Sequence, residues 1–184
     1  MKISNSIIAG IALLITNETS AQLLSSAITN PSNGHKYYIG NAANWVASEA
    51  LAVSVGGHLV TVNDSAENSW IADTFGMWGG TPRQLWLGLS DSITEGSYYW
   101  LSGEASSFRN WAPGEPNNGA GFFPDEDGVT MWNPASGFPY GTWTDSPIDQ
   151  SHFAIIEVVP EPSVFAMAAL AFGLSFRRHR QQTT

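Results

Sequence analysis

The chain has 184 residues, no cysteine, and 16 acidic against 7 basic residues, for a formal net charge of -9. Four of the seven bases, Lys2, Arg177, Arg178 and Arg180, lie at the two ends, so the middle is more acidic still. That sign argues against nucleic acid as a partner, and the missing thiols exclude a cysteine nucleophile, a thiolate metal site and disulfide staples.

Lys2, the nine-residue apolar stretch from Ile7 to Ile15 and the small residues Thr19-Ser20-Ala21 follow the order that signal peptidase reads, with cleavage expected after Ala21. Nine residues are about half of the roughly 20 that a membrane-spanning helix needs. Residues 22–158 then suffice for one domain with its own core. All eight tryptophans fall between Trp45 and Trp143, so aromatic burial can do what disulfides do not.

Within that domain, Lys36 to Ile39 reads as a strand. A helix is expected over 44–53, capped by Asn44, with Val46, Ala50 and Val53 on its apolar face and Gly56-Gly57 as its stop. After Val60-Thr61-Val62 a second helix runs from Ser65 to about Phe75, with Asp64 and Glu67 spaced as a capping box and Trp70, Ile71 and Phe75 facing inward. From Leu85 the texture changes to short strands, expected at 85–89, 98–101, 129–132, 141–143 and 152–158. Between Trp111 and Asp127, prolines and glycines forbid helix and central strand. Trp111, Phe122 and Phe123 argue that this long loop is ordered and functional.

Beyond the domain come Val159-Pro160-Glu161-Pro162, a thirteen-residue apolar run from Val164 to Phe176, and the basic cluster Arg177-Arg178-His179-Arg180. An apolar run followed by bases holds a chain in the inner membrane with its end in the cytoplasm. The order resembles the PEP-CTERM sorting tail of Gram-negative bacteria, which an exosortase recognises. It implies a three-part chain: leader 1–21, domain 22–158, tail 159–184. It also implies a transient transmembrane helix in the tail and delivery to the cell surface or extracellular matrix.

Five acids crowd one window: Glu115, Asp125, Glu126, Asp127 and Asp145. The residues alone leave two readings open, a solvated acidic loop and a site for Ca2+, which takes 6 to 8 oxygen ligands in flexible geometry. The order of landmarks over 35–158 resembles a C-type lectin-like domain. It comprises Gly56-Gly57-His58-Leu59, Trp86-Leu87-Gly88-Leu89, Trp111-x-x-x-Glu115-Pro116-Asn117, Glu126-Asp127, Trp143-x-Asp145 and Phe153-Ala154-Ile155-Ile156-Glu157.

The resemblance implies an α+β fold, two helices packed on small antiparallel sheets, with a long Ca2+-binding loop region. It further implies a main Ca2+ site of Glu115, Asn117, Glu126, Thr144 and Asp145. Of these, Glu115, Asn117, Glu126 and Asp145 would also bind a carbohydrate of mannose type or an exopolysaccharide, with Pro116 in cis. Thr144 departs from the family, which usually has Asn there. Asp91, Glu95, Asn118 and Asp127 correspond to an auxiliary Ca2+ site. The family's cysteines would fall at Ala52, Gly128, Ile148 and Ile156, so that Ala52 packing on Ile156 replaces a staple. His58 corresponds to a buried, hydrogen-bonded structural position. The function implied is binding without catalysis. A protein-binding adhesin on the same fold is the alternative, and a glycosidase using Glu115 and Glu126 is disfavoured because nothing supplies a catalytic cleft.

Overall fold

The computed structural model describes residues 21–121 and 125–160. The expected leader up to Ser20, the aromatic pair Phe122 and Phe123, and the expected tail from Glu161 lie outside the described residues. The elements in order are β1 (Ile28–Thr29), β2 (Lys36–Ala43), α1 (Trp45–Ser54), β3 (His58–Leu59), α2 (Ser65–Phe75), β4 (Leu85–Ser90), β5 (Tyr99–Trp100), β6 (Gly128–Met131), β7 (Trp143–Ser146) and β8 (His152–Val158). The architecture is α+β, as expected. Its small antiparallel sheets join into one path, β1-β2-β8-β4-β6-β7, through a single parallel pairing in which Leu85 faces Phe153 and Trp86 faces Ala154.

Helix α1 begins where Asn44 Oδ1 accepts from the Ala47 amide at 2.8 Å and ends at the glycine pair, with Gly56 at φ +83°. Its buried face is Trp45, Ser48 and Ala52, while Val46 and Val53 are exposed at 60% and 55%. The expected face of Val46, Ala50 and Val53 is therefore wrong. Trp45 decides the rotation: its indole donates to the Leu87 carbonyl at 3.0 Å, and Trp86 answers by donating to Ala43 at 2.9 Å. Burying an indole outweighs burying two valines, which are left in water singly at little cost.

Helix α2 matches its expected bounds. Asp64 accepts from the Glu67 amide at 2.9 Å, and Glu67 reaches back to the amide of Asn63 at 2.7 Å, one residue before the cap. Besides Ile71 and Phe75, this helix buries Glu67 and Asn68, each with a polar task. Asn68 Oδ1 accepts from the Trp143 indole at 2.8 Å, fixing the ring that Trp100, Phe108 and Trp111 meet edge-on at 5.6 to 6.0 Å. Glu67 receives the Tyr37 hydroxyl, which also lies 3.0 Å from Glu157 Oε1, and His35 Nδ1 stands 2.6 Å from that same oxygen. This polar clasp ties α2 to β2 and β8, the strand pair that brings the two ends of the domain together.

Two smaller differences have simple causes. The strand expected at 141–143 begins at Trp143 and runs to Ser146, because Gly141 takes φ +76° and belongs to the preceding turn. His58 is hydrogen-bonded, with Nδ1 2.7 Å from Glu49 Oε1, but its side chain is 46% exposed where a buried one was expected. Among the described residues strand β3 pairs with β8 alone, at the margin of the sheet, so His58 meets solvent on its outer side. Ala52 and Ile156 share one buried cluster, and a Cβ at Gly128 would lie 3.3 Å from Ile148. Ala52 and Ile156 thus stand in shared apolar burial where the resemblance has a staple, and Gly128 leaves no room for a larger side chain beside Ile148.

Gly88 shows why its landmark needs glycine: a Cβ there would stand 2.3 Å from the Leu59 carbonyl oxygen, where β3 crosses β4. Backbone cannot yield as a side chain can. Gly88→Ala is expected to lower stability by about 3 kcal/mol or more, read as a reduced urea midpoint with an unchanged slope.

Candidate functional site

The long loop is held at its start by a short parallel bridge. The amide of Ala112 donates to the Trp143 carbonyl, and that of Trp143 to the Asn110 carbonyl, each at 2.8 Å. The chain turns through Gly114 at φ +94°, and the Glu115–Pro116 bond is cis. Asp145, buried in the middle of β7, then captures the loop. The Asn117 amide donates to its two oxygens at 3.1 and 3.0 Å, and the Asn118 amide donates at 2.7 Å. Within a tight turn that is left-handed at Asn118, Gly119 and Ala120, the Gly119 amide donates to Glu126 Oε2 at 2.6 Å, and the Glu126 amide donates to Asn118 Oδ1 at 2.9 Å. Asn117 Nδ2 donates to Glu115 Oε2 at 2.6 Å.

These bonds gather all five residues expected at the main site, Glu115, Asn117, Glu126, Thr144 and Asp145, around one open depression of about 440 Å³. Thr144 lines it, with its hydroxyl 3.0 Å from the carbonyl oxygen of Asp145. Three carboxylates meet here. Partial burial pushes the Glu115 carboxyl up to about 7, Asp145 and Glu126 push in the same direction, and the Thr144 hydroxyl opposes them. Glu126 is raised by burial and by Asp145, against the stabilising Gly119 amide. The donors are carboxylate, amide and hydroxyl oxygens, hard ligands of the type a calcium ion takes, and their negative charges repel one another in its absence. The residues present therefore fit the ion.

The auxiliary set divides. Glu95 and Asp127 lie together with Asp125, their carboxylate oxygens within 4.8 Å of one another, and the charges of Asp91 and Asp125 bear on Asp127. Asp91 Oδ2 accepts from the Gly96 amide at 2.9 Å. Asn118 lines a pocket together with Glu95, and its side-chain oxygen accepts from the Glu126 amide. Asp125, outside the expected set, joins Glu95 and Asp127 there.

The sequence reading missed the rest of the depression's wall: Gln84, Trp132, Phe138, Ser146 and Gln150. Trp132 and Phe138 stack at 4.8 Å with their planes 14° apart. Only the run Trp-Asn-Pro-Ala-Ser-Gly-Phe-Pro-Tyr, an aromatic-rich turn sequence between two strands, hinted at them. It missed as well the grouping of His35, Glu67 and Glu157, whose ligand atoms also lie within 4.8 Å of one another.

Comparison with known proteins follows the same outline. The family model described as Lectin C-type domain matches residues 41–152, well over half of the chain. The C-type mannose receptor 2 of Homo sapiens is 35% identical over 124 residues, covering 66% of this chain and 8% of the receptor, so the chain spans a small part of that relative. Among solved structures, the carbohydrate-recognition domain of the mouse scavenger receptor C-type lectin superposes with a TM-score of 0.59 at 28% identity, over 72% of this chain and 95% of that one. A calcium-independent type II antifreeze protein shares the fold at the same TM-score and 23% identity, over 74% and 95% of the two chains.

The carboxylate cluster makes stability depend on pH in a defined direction. Glu115 holds its proton longer in the native state than in the unfolded chain, so its contribution is present in acid and is lost as pH rises from about 4.5 to about 7. Without added metal, the melting temperature is expected to fall across that window, and Glu115→Gln is expected to flatten the fall. Thermal melts of both proteins in EDTA at half-unit pH steps check this.

Proposed function

The chain belongs to the C-type lectin domain family, and from that premise we propose that it is an exported, calcium-dependent carbohydrate-binding module. The observation that carries the reading is the convergence of Glu115, Asn117, Glu126, Thr144 and Asp145 on one depression, three of them carboxylates without a basic partner in its wall. A bound Ca2+, held by Glu115, Asn117, Glu126, Thr144 and Asp145, would supply positive charge that attracts the oxygens of sugar hydroxyls. The chain's own residues do the selecting. Glu115 and Glu126 accept hydroxyl protons, and the Asn117 amide donates to a hydroxyl oxygen. Asp145 keeps both amides of the loop in register through its bonds to Asn117 and Asn118.

The Glu115-Pro116-Asn117 sequence favours equatorial vicinal hydroxyls of mannose type, and it is the segment that the resemblance ties to that preference. Thr144 in place of an amide removes one donor from the ring of contacts. Members of the family are generally binding modules, so the activity proposed is binding. Ca2+ is expected to stabilise the native state by roughly 2.7 kcal/mol at a hundredfold excess over Kd. Glu115→Ala is expected to lose that gain. A glycan array in Ca2+ and in EDTA reads the rest: binding to mannose-type glycans only in Ca2+ is the expected result. Binding that survives EDTA and ignores free sugar would replace the reading with a protein-binding adhesin.

Export belongs to the same proposal. The basic start, apolar run and Thr19-Ser20-Ala21 support a cleaved leader. Pro160-Glu161-Pro162 with its apolar run and basic end supports an exosortase-sorted tail in a Gram-negative bacterium. Mass spectrometry of surface material from the native host is expected to show a start near Gln22 and an end near Pro160. Recovery of peptides containing Arg177 and Arg178 from exported protein would contradict it.

A further inference from the structure

The depression that holds the acidic residues does not stop at them. Its far wall is the loop between β6 and β7, where Trp132 and Phe138 stack face to face and Phe138 remains 43% exposed. This wall is firmly mounted. The Trp132 amide donates to the Thr142 carbonyl at 2.8 Å, closing the loop's neck. Asn68 and Asn110 both donate to the Gly141 carbonyl, at 3.0 and 2.8 Å, and the Tyr140 hydroxyl donates to the Ala72 carbonyl of α2. At the tip, the Phe138 amide donates to Ser136 Oγ at 3.2 Å, next to Gly137 at φ +85°. A large apolar ring is thus displayed on a braced loop rather than folded into the core that lies beside it.

Beside the ring the wall turns polar. Gln84 donates to Thr130 Oγ1 at 2.8 Å, and Gln150 Oε1 lies 3.2 Å from His152 Nε2 and 3.4 Å from the Ser146 hydroxyl. Burial pulls the His152 imidazole down to about 4, so this edge carries no positive charge at neutral pH. The Trp132 indole N–H is buried and has no acceptor among the described residues. A flat apolar face with a neutral, hydrogen-bonding rim complements a pyranose ring, whose C–H groups form an apolar face and whose hydroxyls project around its edge.

On the premise that the acidic residues bind a sugar, we propose that the ligand is an oligosaccharide, with the residue adjoining the ion-bound sugar seated against Phe138 and Trp132. Gln84, Ser146 and Gln150 meet its hydroxyls. The acidic cluster selects the first ring by its vicinal hydroxyls, and the aromatic wall selects for a second ring linked to it. Affinity gained from this wall appears only with a ligand longer than one residue.

Titration calorimetry on the full-length protein in saturating Ca2+ tests this with two probe pairs, methyl mannoside against mannotriose and methyl galactoside against galactotriose. The trisaccharide of one pair is expected to bind roughly three- to tenfold more tightly than its single ring, the range one aromatic contact supplies. Phe138→Ala is expected to abolish that ratio and leave single-ring affinity and the calcium-induced rise in melting temperature unchanged. Phe138→Trp is expected to restore the ratio. A trisaccharide no better than its single ring, or a ratio that survives Phe138→Ala, overturns the second subsite and leaves the calcium site standing. Failure of all four probes to bind in Ca2+ overturns both.

Discussion

Asp145 is the constraint from which the binding face is built. Its carboxylate is buried in the middle of a four-residue strand and accepts from the successive amides of Asn117 and Asn118. A buried carboxylate needs several donors, and here the loop supplies them. In return the loop acquires one conformation: cis at Pro116, left-handed at Asn118, and folded back so that Glu126 closes it from the other side. The position of Asp145 is itself inherited from Trp143 two residues earlier, whose indole is locked to Asn68 of α2 and ringed by aromatic edges. Core packing and site geometry are therefore one structure, joined along β7.

The electrostatic consequence is a cluster at odds with itself. Glu115, Glu126 and Asp145 face a common space, where burial first and the neighbouring carboxylates second raise the carboxyls of Glu115 and Glu126. Such a cluster persists because the amides that hold it are fixed by the loop, and a bound cation would relieve it. The clasp of His35, Tyr37, Glu67 and Glu157 solves a similar problem differently. There a hydroxyl and an imidazole stand between the carboxylates, so repulsion is converted into a cross-link between a helix and the strand pair that joins the domain's ends.

Where the sequence is legible, the reason is a short-range signal. Asn44, Asp64 and Glu67 cap through bonds within a few residues, so both helices could be bounded from composition alone. Glycines mark close approach, as Gly88 does against Leu59. The residues that line the depression could be read as neighbours because two short segments, Glu115-Pro116-Asn117 and Trp143-x-Asp145, keep their internal spacing whatever lies between. What remained hidden depends on long-range choices. The face of α1 was misjudged because Trp45, at the helix's first position, bonds to Leu87 across the fold. Asp125 joins Glu95 and Asp127 from the far end of the long loop, and Trp132 and Phe138 join the cavity through a loop anchored on α2.

On the proposed function, the oxygens of Glu115, Asn117, Glu126, Thr144 and Asp145 surround one cation. The direct measurement is the anomalous scattering of crystals soaked in a lanthanide that substitutes for Ca2+. A single strong peak between Glu115, Glu126 and Asp145, lost in Glu115→Ala, is the result predicted. A peak confined to Glu95, Asp125 and Asp127, or none at the loop, would contradict it.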